Sequence, residues 1–181
     1  MRRLISIILV VVFAISSFGG LFSKEYKFRD IALGISYKKA KEEIEKNLKN
    51  AGYSTKSTTN YYTDFFILQF DEKVDVAGYD ATCALWFSNK DNSPIDKEKP
   101  DDAIFNVGMY VINTTKKNET EEAHKSIKEK LIELYGEPTE EEGSYVCWKS
   151  KSGKTQIFID YISSTSIQIS YCYNNSNKNG L

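Results

Sequence analysis

The sequence predicts an α+β domain: a mainly antiparallel sheet of about six strands with two helices on one face. Three observations predict it. Two stretches carry apolar residues at helical spacing and end in glycine. Six others are rich in aromatic and β-branched residues and are separated by turn formers. The two kinds of stretch follow one another as helix then three strands, twice.

Ahead of these elements the chain reads as a secretory leader. Met1, Arg2 and Arg3 precede an uncharged, mostly aliphatic run from Leu4 to Ile15, and Ser17 and Gly19 hold the −3 and −1 positions of a candidate cut before Gly20. Residues 1–23 are assigned to a signal peptide and 24–173 to a single α+β domain, which makes the protein secreted or periplasmic. If the leader is not cut, Leu4 to Phe22 approaches the roughly 20 apolar residues that span a bilayer, and the domain is anchored by an N-terminal helix. The region holds no cysteine for lipid attachment.

The first helix is predicted over Ser36–Ala51. Tyr37, Ala40, Ile44, Leu48 and Ala51 share a face, Ser36 is placed to cap the first turn, and Gly52 supplies the left-handed residue that closes the last. The second is predicted over Asn118–Tyr135, with Ala123, Ile127, Leu131 and Leu134 on one face. Asn118 and Glu121 are spaced as a capping box, and Gly136 then Pro138 make the stop.

Strands are predicted at Tyr61–Phe70, Tyr79–Ser88, Ala103–Asn113, Tyr145–Ser150, Thr155–Ile162 and Ser166–Tyr173. Lys151–Lys154 and Ser163–Thr165 read as hairpin loops, which makes the last three strands a meander. Glu140, Glu141 and Glu142 read as a charged turn. A strand begins nine residues after each helix-closing glycine, at Tyr61 and at Tyr145, so 34–114 and 118–173 are candidate repeats of one α-β-β-β unit. Residues 174–181 read as a frayed polar tail.

Composition and residue inventory exclude several chemistries. With 24 basic and 25 acidic side chains the formal charge is −1, which argues against nucleic acid as a partner. His124 is the single histidine, so any Ser-His-Asp, Cys-His or multi-histidine metal mechanism depends on it. It lies away from the centre of the second helix's apolar stripe, as a boundary residue at the sheet margin.

The three cysteines show no C-x-x-C spacing. Alternation buries Cys83 with Ala81, Leu85 and Phe87, and puts Cys147 and Cys172 on the more polar face of their strands. In a meander those two strands are separated by a third, about 9.5 Å apart and beyond the ~7 Å limit for a bridge. Three free thiols are expected; a Cys147–Cys172 disulfide requires the strands to be neighbours. The acidic residues Asp91, Asp96, Glu98, Asp101 and Asp102 are interleaved with Lys90, Lys97 and Lys99 and lack the calcium-loop pattern. No catalytic, metal or cofactor-binding residue is assigned, and no cofactor.

Leu33-Gly34-Ile35-Ser36 leading into a helix with Ala40 and Ile44, and Leu134-Tyr135-Gly136-Glu137-Pro138 closing the second, resemble phrases found in bacterial envelope proteins. These are the outer-membrane assembly lipoprotein and β-lactamase inhibitory protein group. The resemblance implies an antiparallel sheet backed by helices and a role in protein binding. Two features depart from that group: the lipobox cysteine is missing, and one helix precedes each set of strands where the group has two. PepSY-like periplasmic domains, with one helix and three strands, resemble the element order more closely.

Aromatic side chains carry what remains of a functional signal. Alternation puts Trp86 opposite Cys83, Leu85 and Phe87, and Tyr110 opposite Phe105, Val107, Met109 and Val111. If the larger sets face the helices, Trp86 and Tyr110 project from the uncovered side, where such residues serve as recognition anchors. The reading is a secreted or envelope-located, non-enzymatic protein- or peptide-binding module that uses the open sheet face. Two alternatives stand beside it. One is a hydrolase or small-ligand-binding protein with a site assembled from distant strands; the other is a membrane-tethered structural protein with an uncut leader.

Overall fold

In the computed structural model, which describes residues 25–91 and 93–174, the first apolar stripe forms a helix, α1, over Tyr37–Asn50. It buries Ala40, Ile44 and Leu48. Gly52, at φ 79°, closes it, with Tyr53 N donating to the Leu48 carbonyl at 2.9 Å. Ser36 stands at the N-terminal boundary but its side chain makes no cap hydrogen bond. Instead Tyr37 N donates to the Ala103 carbonyl at 2.6 Å, so a neighbouring segment satisfies an amide that the serine was expected to hold.

The second stripe forms α2, Lys117–Tyr135, and buries Thr120, Ala123, His124, Ile127 and Leu131. Its start lies one residue before the predicted one, and the Asn118–Glu121 box is not made. Glu119 instead turns back to accept from Thr115 N at 3.0 Å and Thr115 Oγ1 at 2.8 Å. Among the described residues no helix is long and apolar enough to cross a membrane. The predicted leader, and all of the predicted tail except Asn174, lie outside the described residues.

The strands, in chain order, are β1 (Lys27–Phe28), β2 (Ile31–Ala32), β3 (Ser57–Tyr61), β4 (Phe65–Phe70), β5 (Val74–Val76), β6 (Tyr79–Ser88), β7 (Ile104–Asn113), β8 (Glu140–Glu142), β9 (Tyr145–Lys149), β10 (Thr155–Ser163) and β11 (Ser166–Tyr173). β1 and β2 form a separate hairpin; the others form a nine-stranded antiparallel sheet of order β3-β4-β6-β7-β11-β10-β9-β8, with β5 also paired to β6. The α+β class and the antiparallel sheet are as predicted, but the sheet is larger. The predicted strand Tyr61–Phe70 is broken at Tyr62–Asp64 into β3 and β4, and the three glutamates expected as a turn form edge strand β8, pairing Glu140 with Cys147. Each helix is therefore followed by more than three strands. The last strands of the two halves, β7 and β11, pair at the middle of the sheet.

Both helices lie on one face. Tyr37 of α1 sets its ring edge-on to Phe66 and Phe87, at centroid distances of 4.9 and 5.1 Å. On α2, His124 packs on Tyr161 at 5.0 Å, and Tyr135 reaches Tyr171. Strand pairing puts all these partners on the same side: Leu85 opposes Gly108, Gly108 opposes Tyr171, and Tyr171 opposes Ile157. That side holds the core, including Phe66, Phe87, Phe105, Ile112, Trp148, Ile157 and Ile167, each essentially excluded from solvent.

The segment before α1 fills the space between the helices. Glu25 accepts hydrogen bonds from Ser150 Oγ (3.0 Å) and Thr155 Oγ1 (2.8 Å), and Tyr26 N donates to Thr155 Oγ1 at 2.9 Å. At the other end, Gly34 N donates to the Phe105 carbonyl at 2.8 Å. Between them the β1–β2 hairpin turns through Arg29 and Asp30, both at positive φ (51° and 65°). Two-residue hairpins of this twist favour glycine and asparagine. Here Phe28 and Ile31, both fully buried on either side of the turn, offset the strain of the occupants.

Candidate binding face

The reverse of the sheet carries neither helix. Along β6 the difference is visible residue by residue: Ala81, Cys83, Leu85 and Phe87 are buried under the helices, whereas Thr82, Ala84, Trp86 and Ser88 are only half-buried. β4 contributes Phe65 and Ile67 to this face, and β7 contributes Val107, Met109 and Val111, all half-buried.

Trp86 lies on this face, as alternation along β6 predicts. Its neighbours in register are Ile67 and Val107. Its ring stacks on Phe65 at 5.0 Å with 8° between the planes, and Phe65 stacks on Tyr62 at 4.6 Å and 18°. Tyr62 is 47% exposed. The three rings form a column running from the β3–β4 turn onto the sheet. Beside it is a groove of about 340 Å³ lined by Asp64, Phe65, Trp86, Phe87, Ser88, Asn106 and Val107. Asn106 Nδ2 donates to Ser88 Oγ, so these two polar side chains occupy one another.

Tyr110 does not lie on this face, and the prediction that placed it there is corrected. The pairing of β6 with β7 shifts by one residue at Trp86/Phe87: Phe87 opposes Phe105, but Trp86 opposes Val107. This bulge inverts the alternation of everything after it in β7. Val107, Met109 and Val111 go to the open side, and Tyr110 goes under the helices, where its ring lies 4.7 Å from that of Phe28. Burial there pushes its phenol well above the ordinary value. Trp86 and Tyr110 are therefore not brought together.

The three cysteines are free. Cys83 is under the helices, where burial pushes its thiol up to about 11 despite the Arg29 guanidinium 3.8 Å away. Cys147 and Cys172 are on the open side of β9 and β11, with β10 between them, and burial raises the Cys172 thiol to about 12. Ser170, which opposes Met109 and Phe158 on that same side, is fully buried, and its Oγ has no hydrogen-bond partner among the described residues.

His124 is placed as a structural group. Its Nε2 contacts the Ser144 carbonyl at 2.6 Å, closing the β8–β9 turn onto α2, while Ser144 Oγ donates to Asp160 at 2.7 Å. The histidine thus meets the serine's main chain and not its hydroxyl, an arrangement that lacks the nucleophile–base contact of a catalytic triad.

The geometry defines a helix-backed antiparallel sheet whose other face carries neither helix, half-buried and partly apolar along β4, β6 and β7 and closed to solvent at Cys147 and Ser170. Comparison of the chain with family models, with curated proteins and with solved structures finds no match to any of them.

Proposed function

We propose that this protein is a secreted or envelope-located, non-enzymatic module that binds a protein or peptide on the uncovered face of its sheet. The observation that carries the reading is the aromatic column Tyr62–Phe65–Trp86 continuing into Ile67, Val107 and Met109 on a face without helices. A face of this composition loses water-exposed apolar area when an extended chain or a second protein is laid on it, and a half-buried tryptophan supplies a large contact at low rotamer cost. The resemblance of the helix-opening and helix-closing phrases to envelope binding proteins supports the same reading.

The test uses peptides selected from a random displayed library on the purified protein. Trp86→Ala and Met109→Lys should each weaken the selected peptides at least tenfold, whereas Lys125→Glu, on the exposed surface of α2, should leave them unchanged. Selected peptides that bind both open-face variants as tightly as the wild type would overturn the reading.

A further inference from the structure

We infer that the groove beside Trp86 receives the guanidinium group of an arginine side chain, stacked on the indole and paired with Asp64. This deepens the proposed function by naming the chemistry its peptide partner presents, and it rests on that reading.

The argument begins with what the groove leaves unsatisfied. Trp86 is the terminal ring of its column, with Phe65 on one side and no second aromatic partner among the described residues. Among the described residues Asp64 is the only charged one of the lining. It is exposed, and no hydrogen bond or ion pair holds it among the described residues. Ser88 and Asn106 are bonded to each other, which reduces the donors and acceptors on offer to a neutral polar ligand such as a sugar. An aromatic plane and an uncommitted carboxylate in one groove of about 340 Å³ ask for a flat cation. A guanidinium meets both requirements at once: it stacks through its face and donates two parallel hydrogen bonds through its edge, whereas an ammonium is a compact, strongly hydrated point charge.

The neighbouring segment carries both signs of charge. Ile95 N donates to the Thr63 carbonyl at 2.9 Å, which holds the chain at Ile95 beside Asp64. Asp91, Asp96 and Glu98 flank this point in the sequence together with Lys90, Lys97 and Lys99, and Lys97 is directed at the Tyr61 ring, whereas Asp101 lies by Tyr37 of α1. The charge that the groove itself offers is therefore that of Asp64.

The experiment follows the Trp86 indole N–H resonance during titration with three capped tripeptides, Gly-Arg-Gly, Gly-Lys-Gly and Gly-citrulline-Gly, and with cellobiose. The Trp148 indole, bonded to the Gly136 carbonyl at 2.8 Å, serves as internal reference. The arginine peptide should shift Trp86 and leave Trp148 in place. The citrulline and lysine peptides should bind at least tenfold more weakly, and Asp64→Asn should weaken the arginine peptide at least tenfold. Equal binding of the citrulline or lysine peptide, an unchanged affinity in Asp64→Asn, or a Trp86 shift by cellobiose alone would overturn the inference. Library-selected peptides separate the two failures. If Trp86→Ala abolishes their binding while Asp64→Asn does not, the arginine assignment fails and the binding face stands; if Trp86→Ala leaves them bound, the face itself is wrong.

Discussion

Phe28 occupies the space that a side chain at residue 108 would need: a Cβ built on Gly108 falls 2.1 Å from Cγ of the Phe28 ring. Gly108 sits on β7 between Leu85 of β6 and Tyr171 of β11, at the middle of the sheet, so the hairpin of the N-terminal segment is docked there by a notch in the backbone. The ring also meets Phe105, Tyr110 and Tyr171, at centroid distances of 6.3, 4.7 and 5.4 Å.

This pair should behave as a coupled unit in a double-mutant cycle followed by urea unfolding. Phe28→Ala should cost about 3–5 kcal/mol, as for other buried aromatic truncations. Gly108→Ala should be destabilising in the wild-type background and much less so with Phe28→Ala, with a coupling on the order of 1 kcal/mol or more. Strict additivity of the two changes would mean the hairpin is not seated on Gly108.

The two tryptophans should report separate environments. Trp148 is 1% exposed and hydrogen-bonded to the Gly136 carbonyl, whereas Trp86 is half-buried on the open face. Trp86→Phe should remove the red, acrylamide-accessible part of the emission and leave stability nearly unchanged. Trp148→Ala should cost about 3–5 kcal/mol. An accessible component that survives in Trp86→Phe would place Trp148, not Trp86, in contact with water.

Ser170 has a fully buried hydroxyl without a partner among the described residues. Such a group costs about 1–3 kcal/mol of desolvation that nothing returns. Ser170→Ala should therefore raise stability by about 1 kcal/mol, seen as a rise of roughly 2–4 °C in Tm for a chain of this size. A drop in Tm would show that the hydroxyl is satisfied by a group such as a bound water.

Alkaline pH should weaken the fold. The Cys83 thiol is raised by burial from 9.0 to about 11, and burial raises the Tyr110 and Tyr171 phenols as well. A group whose folded value is raised holds its proton in the native state after the unfolded chain has lost it, so its contribution is complete below the unfolded value and declines above it. Stability measured by urea should be level between about pH 6 and 8 and then fall, each such group contributing a slope of about 1.4 kcal/mol per pH unit within its window. Replacement of Cys83 by Ala should reduce the slope between pH 9 and 11. A profile level through that range would contradict the burial of these groups.

What could be read in advance follows the range of the forces involved. Ala40, Ile44 and Leu48, and Ala123, Ile127 and Leu131, announce their helices because a helical stripe is a local pattern. The alternation of Ala81, Cys83, Leu85 and Phe87 likewise fixes which side of β6 is wet, and with it the place of Trp86. Asp64, by contrast, gave no signal: an aspartate in a turn becomes part of a groove only because β4 pairs with β6 and carries the turn alongside Trp86.

By itself, then, the order of residues determined the class of fold, the two helices and the side of the sheet on which Trp86 lies. Tertiary structure decided the rest, and in each case the reason is a relationship between segments. The polar strands Ser57–Tyr61 and Glu140–Glu142 are strands only through the hydrogen bonds of their single neighbours. The bulge opposite Trp86 and Phe87 is an offset between two registers, invisible in either strand alone, and it turned Tyr110 from the open side to the helix side, against the core. Phe28 and Gly108, eighty positions apart in the chain, meet because a notch and a ring are complementary in shape only once the sheet exists.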